Sequence, residues 1–145
     1  MNAIHAKRLR KLADFLHTMP KEKFDFGTIG LQHGLPPLDA LKAGHTRCGT
    51  VACAIGWMPA VFPRVCKWSA PTYFHRWLSV LSKKHKRVRD FALAERFFGL
   101  SADEALYLFQ PDHEFEGQRG LSSAASPERV AQHIRRFVAR KRKTA

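Results

Sequence analysis

The chain has no run of about 18 apolar residues, so nothing in it reads as a membrane span. Charge interrupts the apolar residues that follow Lys7, Arg8, Arg10 and Lys11, so a signal peptide's continuous apolar region is missing as well. A cytoplasmic protein with the whole chain as its mature form is expected. Cysteine is scarce: three residues, an odd number set beside apolar neighbours, argue against a secreted disulfide framework and suit reduced thiols. Sustained strand-like alternation is lacking, and no internal repeat is visible. The most informative shortage is of acid. Asp and Glu total 12 against 25 Lys and Arg, a formal charge of +13, and no carboxylate occurs between Arg64 and Arg89.

What is present is a helical pattern. With 145 residues, 45% of them hydrophobic, the chain can bury the core of one domain, residues 1–145. Asn2 caps a first helix whose apolar stripe is Leu9, Leu12, Ala13, Leu16 and Met19, widened by Phe15 and closed by Pro20; its other face is basic. Residues 21–47 are rich in glycine and proline and predict a long connection, with one short helical turn near Asp39 to Lys42 and with Phe24, Phe26 and Ile29 pinning it to the core.

Cys48 to Trp57 has no polar face, so it is expected to be buried. Small Ala52, Ala54 and Gly56 let neighbouring backbones come close while Val51, Ile55, Trp57 and Met58 supply bulk, which predicts a central helix capped by Thr50 and ended by Pro59. Ser69 and Pro71 predict the start of a further helix carrying Tyr73, Phe74, Trp77, Leu78 and Leu81, with a basic cluster at its C-terminal end. Val88 to Phe98 continue helically up to a left-handed stop at Gly99. Ser101 and Glu104 form a capping box for a short helix ended by Pro111. A polar loop from Asp112 to Ser126 precedes the last helix, capped by Ser126 and turned inward through Val130, Ile134, Phe137 and Val138, with a basic tail from about residue 139. The fold class expected is all-α, a bundle of about five to six helices around the buried central one.

These segments resemble a group of small proteins of bacteria, phages and mobile elements. The shared features are a Leu-rich first helix ending near proline (Leu12 to Pro20), a Cys-Gly-Thr-x-Ala-Cys-x-x-Gly-Trp segment (Cys48 to Trp57), Phe-Phe-Gly-Leu-Ser (Phe97 to Ser101) and Leu-Phe-x-Pro (Leu108 to Pro111). The resemblance implies a fold and a phage or mobile-element setting, and it transfers no catalytic residue.

Several motifs carry potential chemistry. Cys48, ahead of the expected helix and close to His45, has the setting of an activated thiol, the basis of an alternative reading as a cysteine-dependent enzyme. A turn built on Gly49 and Thr50 accounts for the same residues, no complete catalytic set can be named, and no catalytic residue is assigned. His45, Cys48, Cys53, Cys66 and His75 match no zinc spacing, so neither metal nor cofactor is expected. Phe91 to Pro111 has the outline of a helix-turn-helix. Its second helix carries Asp103 and Glu104 and few donors for a groove, so a simple αα-corner is the expectation.

The charge is blocked into two basic stretches. One is Lys83, Lys84, His85, Lys86, Arg87 and Arg89; the other runs from Arg135 and Arg136 through Arg140 to Lys143, and an acidic interval from Asp90 to Glu116 lies between. Such an imbalance repels itself in a compact state, and each cation docked on a phosphate releases counterions. The expected function is therefore non-enzymatic binding of nucleic acid or a nucleoprotein complex through Lys83, Lys84, Lys86, Arg87, Arg89, Arg135, Arg136 and Arg140. Trp68 and His75 near the first block are available for stacking on bases, as is Tyr73 unless it is taken up by the core, where it is first expected. In the phage setting implied by the resemblance, this would serve to block a host defence complex, an anti-CRISPR-like role. A module that meets a protein partner through the acidic interval is a further alternative, and an acidic protein is the other partner open to the basic blocks.

Overall fold

Helix α1, Ala3–His17, starts where the Asn2 side chain accepts the His5 amide N–H at 2.9 Å. In this computed structural model residues 1–27, 31–32, 50–69 and 79–144 are described. The buried stripe of α1 is Ala6, Leu9, Leu12, Ala13 and Leu16, recurring at helical spacing. Each of its three leucines is fully buried, which stabilises the fold by about 2 kcal/mol per side chain. The stripe packs on the last helix, which we label α5, Pro127–Lys143. Asp14 late in α1 meets Arg135 midway along α5, whereas Ala3 and Arg10 share a cleft with Arg142 near its end, so the two helices run in opposite directions.

Between them the chain passes through short elements. A single 3-10 turn at Lys21–Lys23 leads to Phe24, whose backbone pairs with Ala52 in an isolated parallel bridge. Strands β1 (Leu31–Gln32) and β2 (Thr50–Val51) pair antiparallel, α2 is the single turn Met58–Val61, and β3 (Cys66–Trp68) pairs antiparallel with β4 (Val80–Ser82). Helix α3 (Asp90–Phe98) ends at Gly99 in the left-handed conformation, φ 62°. The Ser101–Glu104 capping box opens α4 (Ala102–Phe109). A hairpin of β5 (Glu114–Phe115) and β6 (Gln118–Arg119) follows, turning through Glu116 and Gly117 at φ 49° and 71°.

The expected all-α bundle is thus corrected to a mixed architecture: five α-helices and three two-stranded antiparallel pairings among the described residues. The strands escaped detection because each has only two or three residues, too few for alternation to show. The expected central helix is corrected too. Ala52 to Met58 are buried as predicted, but Thr50–Val51 form a strand, Ala52 a bridge residue bonded through its backbone to Lys23 and Asp25, and Ala54 to Trp57 a turn leading into α2. An apolar run buried on all sides does not distinguish the two. Pro59, expected to end that helix, lies instead in the first turn of α2, where a missing N–H costs nothing.

Leu81, assigned by its spacing to a helix, belongs to β4, and the basic cluster follows a strand rather than a helix end. Residues 139–143 of the expected tail continue α5. Phe24 and Phe26 are buried, whereas Ile29, the turn at Asp39 to Lys42, and Tyr73 to Leu78 lie outside the described residues.

Candidate nucleic-acid interface

The first basic block forms the loop between β4 and α3, and its backbone is closed on itself. Ser82 N–H donates to the Val88 carbonyl at 2.9 Å, Val88 N–H to the His85 carbonyl at 2.9 Å, and His85 N–H to Ser82 Oγ at 3.1 Å. Lys83 N–H ties the loop to the carbonyl of Val65, the residue before β3. Arg89 pairs with Leu81 in an isolated bridge, which is why α3 begins at Asp90 rather than Val88. With the backbone committed inward, Lys83, Lys84, His85, Lys86, Arg87 and Arg89 are all exposed. Asp90, the acid that ends the block, turns in at φ 50° and accepts the Val80 amide N–H at 2.8 Å. No salt bridge neutralises the loop cations among the described residues.

One wall of a groove of about 290 Å³ is made by this loop. Its rim carries Lys84 and His85 from the loop, Arg64 from before β3, Arg8 from α1 and Arg96 from α3, with no carboxylate in the lining. Its floor is Val65, Val88, Leu93 and Phe97. Arg8 is fixed there: Nη1 donates to the Phe97 carbonyl at 2.7 Å, and the guanidinium carbon lies 4.2 Å from the Phe97 ring centre.

Arg8 also joins the groove to the exposed face of α1. Spacings of three and four residues put Ile4, Lys7, Arg8 and Lys11 side by side, with Arg10 beside Lys7. Ile4, 57% exposed, is the large apolar side chain left on the surface among the described residues. On the far side, Arg10 and Arg142 of α5 line a second cleft, so positive charge runs along α1 from one cleft to the other. His5 on the same helix is held below its usual pKa by burial first, then by the charges of Arg8 and the N-terminus.

The second basic block is partly spent within the fold. Arg135 pairs with Asp14 at 2.8 Å, Arg140 bonds Gln118 and the Tyr107 hydroxyl, and Lys141 pairs with Glu104. Arg136 is exposed. The structure therefore brings Lys84 together with Arg8, Arg64 and Arg96, which the sequence reading did not single out, and sets Arg135 and Arg140 apart from them. The detectable signals were the basic face of α1 and the position of Arg64 in the acid-free stretch.

Trp68 is not an open stacking platform. Its indole N–H donates to the Gly56 carbonyl, and its ring stands edge-on to Trp57, 6.2 Å between centres. Tyr73, His75, His45 and Cys48 lie outside the described residues. The other two cysteines are buried thiols: burial pushes Cys53 up to about 11 and Cys66 up to about 12. Among the described residues no group of His, Cys, Asp and Glu could hold a metal ion, and no helix is long and apolar enough to cross a membrane. A larger cleft of about 430 Å³, beside Phe24 and Phe26, has one lysine and one aspartate in its lining and hence no bias of charge. Comparison with protein-family models, with curated proteins and with solved structures finds no match to this chain.

Proposed function

We propose that this protein binds nucleic acid, without catalysis, through the β4–α3 loop, the adjoining groove and the basic face of α1. The observation that carries the reading is the groove: Arg8, Arg64, Lys84 and Arg96 converge from four separate parts of the chain with no carboxylate among them. Arg8 has a structural use in its contact with Phe97, but gathering further like charge around it costs stability, so a polyanion is the partner that makes sense of the cluster. Lys83, Lys86, Arg87 and Arg89 extend the same surface, exposed on a loop whose backbone is already ordered.

Within the second block, Arg136 is the residue best placed to add to binding, because Arg135 and Arg140 are engaged by Asp14, Gln118 and Tyr107. The deciding experiment is a titration of nuclease-treated protein with labelled DNA and RNA at several salt concentrations. Binding that weakens steeply with salt, and that is lost when Arg64, Lys84 and Arg87 are all changed to glutamate with the circular dichroism unchanged, supports the reading. Absence of any binding at low salt rejects it.

A further inference from the structure

We propose that the groove bounded by Arg8, Arg64, Lys84 and Arg96 takes one unstacked base of a single-stranded polynucleotide, the flanking phosphates lying on the cationic rim. This rests on the nucleic-acid reading and adds to it the strandedness of the ligand and the part of it that enters the protein.

Charge alone does not account for the site. A duplex offers its phosphates outward and keeps its bases stacked inside, so a protein that recognised only the backbone would need cations on an open surface. Here the rim cations surround an apolar floor, in which Val65, Val88 and Phe97 are half-buried and Leu93 is buried. An apolar concavity gains nothing from phosphate. It gains from a planar base that has left its stack, which is how single strands are read.

The size of the groove fits the same ligand. At about 290 Å³ it is at the small end of ligand pockets, suited to one base rather than a stack of several. Arg8 supplies a preformed platform: its hydrogen bond to the Phe97 carbonyl and its position over that ring hold a planar cation at the groove, where a base can pack against it. His85, exposed on the loop wall, adds a second ring and a hydrogen-bonding edge. An acidic peptide would satisfy the rim and leave the floor without a regular partner.

The test uses the full chain and three labelled probes of equal length: a mixed-sequence single strand, the same strand with abasic sites throughout, and the corresponding duplex, each prepared as DNA and as RNA where the chemistry allows. The base-bearing strand is expected to bind about tenfold or more tightly than the abasic strand at the same salt, with a similar salt slope, because only the base contact differs. Val88→Trp, which fills the groove from the loop side, is expected to abolish that difference with the helical signal intact.

Equal affinity for base-bearing and abasic strands overturns the base pocket and leaves nucleic-acid binding standing. Tighter binding of the duplex than of either strand overturns it as well, and so does polyglutamate binding as tightly as the base-bearing strand. Failure of every probe at low salt removes the underlying reading and the inference with it. If Val88→Trp does not fold, the comparison of strands on the unaltered protein still decides.

Discussion

Arg8 of α1 and Phe97 of α3 are joined twice, by an N–H donated to the carbonyl at 2.7 Å and by a guanidinium 4.2 Å from the ring centre. One side chain thereby docks two helices and fixes a cation at the edge of the groove. Arg8→Ala is expected to cost about 2 kcal/mol of stability, from a part-buried charged hydrogen bond and a cation–π contact. Arg8→Lys should recover less than half, because an ammonium lacks the planar fork. Urea unfolding of the three proteins checks both numbers; equal stability of all three would show the contact to be inert.

Gly99 gives a second test of how α1 meets α3. Its φ is 62°, and a Cβ placed there would come within 2.1 Å of the His5 ring. Gly99→Ala is expected to destabilise by about 2 kcal/mol, about half from left-handed backbone and half from displacing His5. In a His5→Ala background the cost should fall to about 1 kcal/mol, a coupling that a double-mutant cycle measures.

Ile55 is fully buried in the turn ahead of α2. Ile55→Ala should cost about 3 kcal/mol through lost burial and a residual cavity. Ile55→Asp should prevent folding, since the carboxylate would have no compensating partner. A cooperative thermal transition retained in Ile55→Asp would contradict the placement of this segment in the core.

The local devices were legible in the sequence because each acts within one turn of its own backbone. Asn2, Ser126, the Ser101–Glu104 box and the Gly99 stop are all found where their residue types require. Burial of Ala52 to Met58 was legible too; its conformation was not, because Ala52 at its start is tied through the backbone to Lys23 and Asp25, far away in the chain. The candidate site was half legible. The loop cations stand together in sequence, but Arg8, Arg64 and Arg96 join Lys84 only through tertiary packing. The same packing occupies Arg135 and Arg140 with Asp14 and Gln118, partners no local pattern announces.

His133 should make stability depend on pH. Burial holds its imidazole below the usual 6.5; the hydrogen bond to the Tyr107 carbonyl opposes this, and the charges of Arg140 and Arg136 add to it. The unfolded chain therefore takes up the proton more readily, so this contribution is full above 6.5 and is lost as pH falls through the depressed folded value. His133→Gln should flatten the fall in unfolding midpoint between about pH 7 and about pH 5, though His5, also depressed, will keep part of the slope. An unchanged slope in the variant would assign the effect elsewhere.

Salt dependence separates the two basic blocks. If four rim cations each neutralise a phosphate of a single strand, the logarithm of affinity should fall against that of salt with a slope of about 3. Arg64→Gln and Lys84→Gln should each lower that slope by about 0.7. Arg135→Gln should leave it nearly unchanged, as its charge is already paired with Asp14. Equal losses from both blocks would mean that the second also touches the ligand.

The backbone of the β4–α3 loop is closed by Ser82, His85 and Val88 before any ligand arrives, and this bears on speed as well as affinity. Encounter need not wait for a segment to fold, so the rate constant for association should lie in the electrostatically steered range and drop sharply with ionic strength. Residence time answers to different atoms. Once the phosphates are seated, departure is governed by how long the floor of the groove holds what has entered it, so variants at Val65 or Val88 should alter the lifetime of the complex while leaving its rate of formation almost untouched.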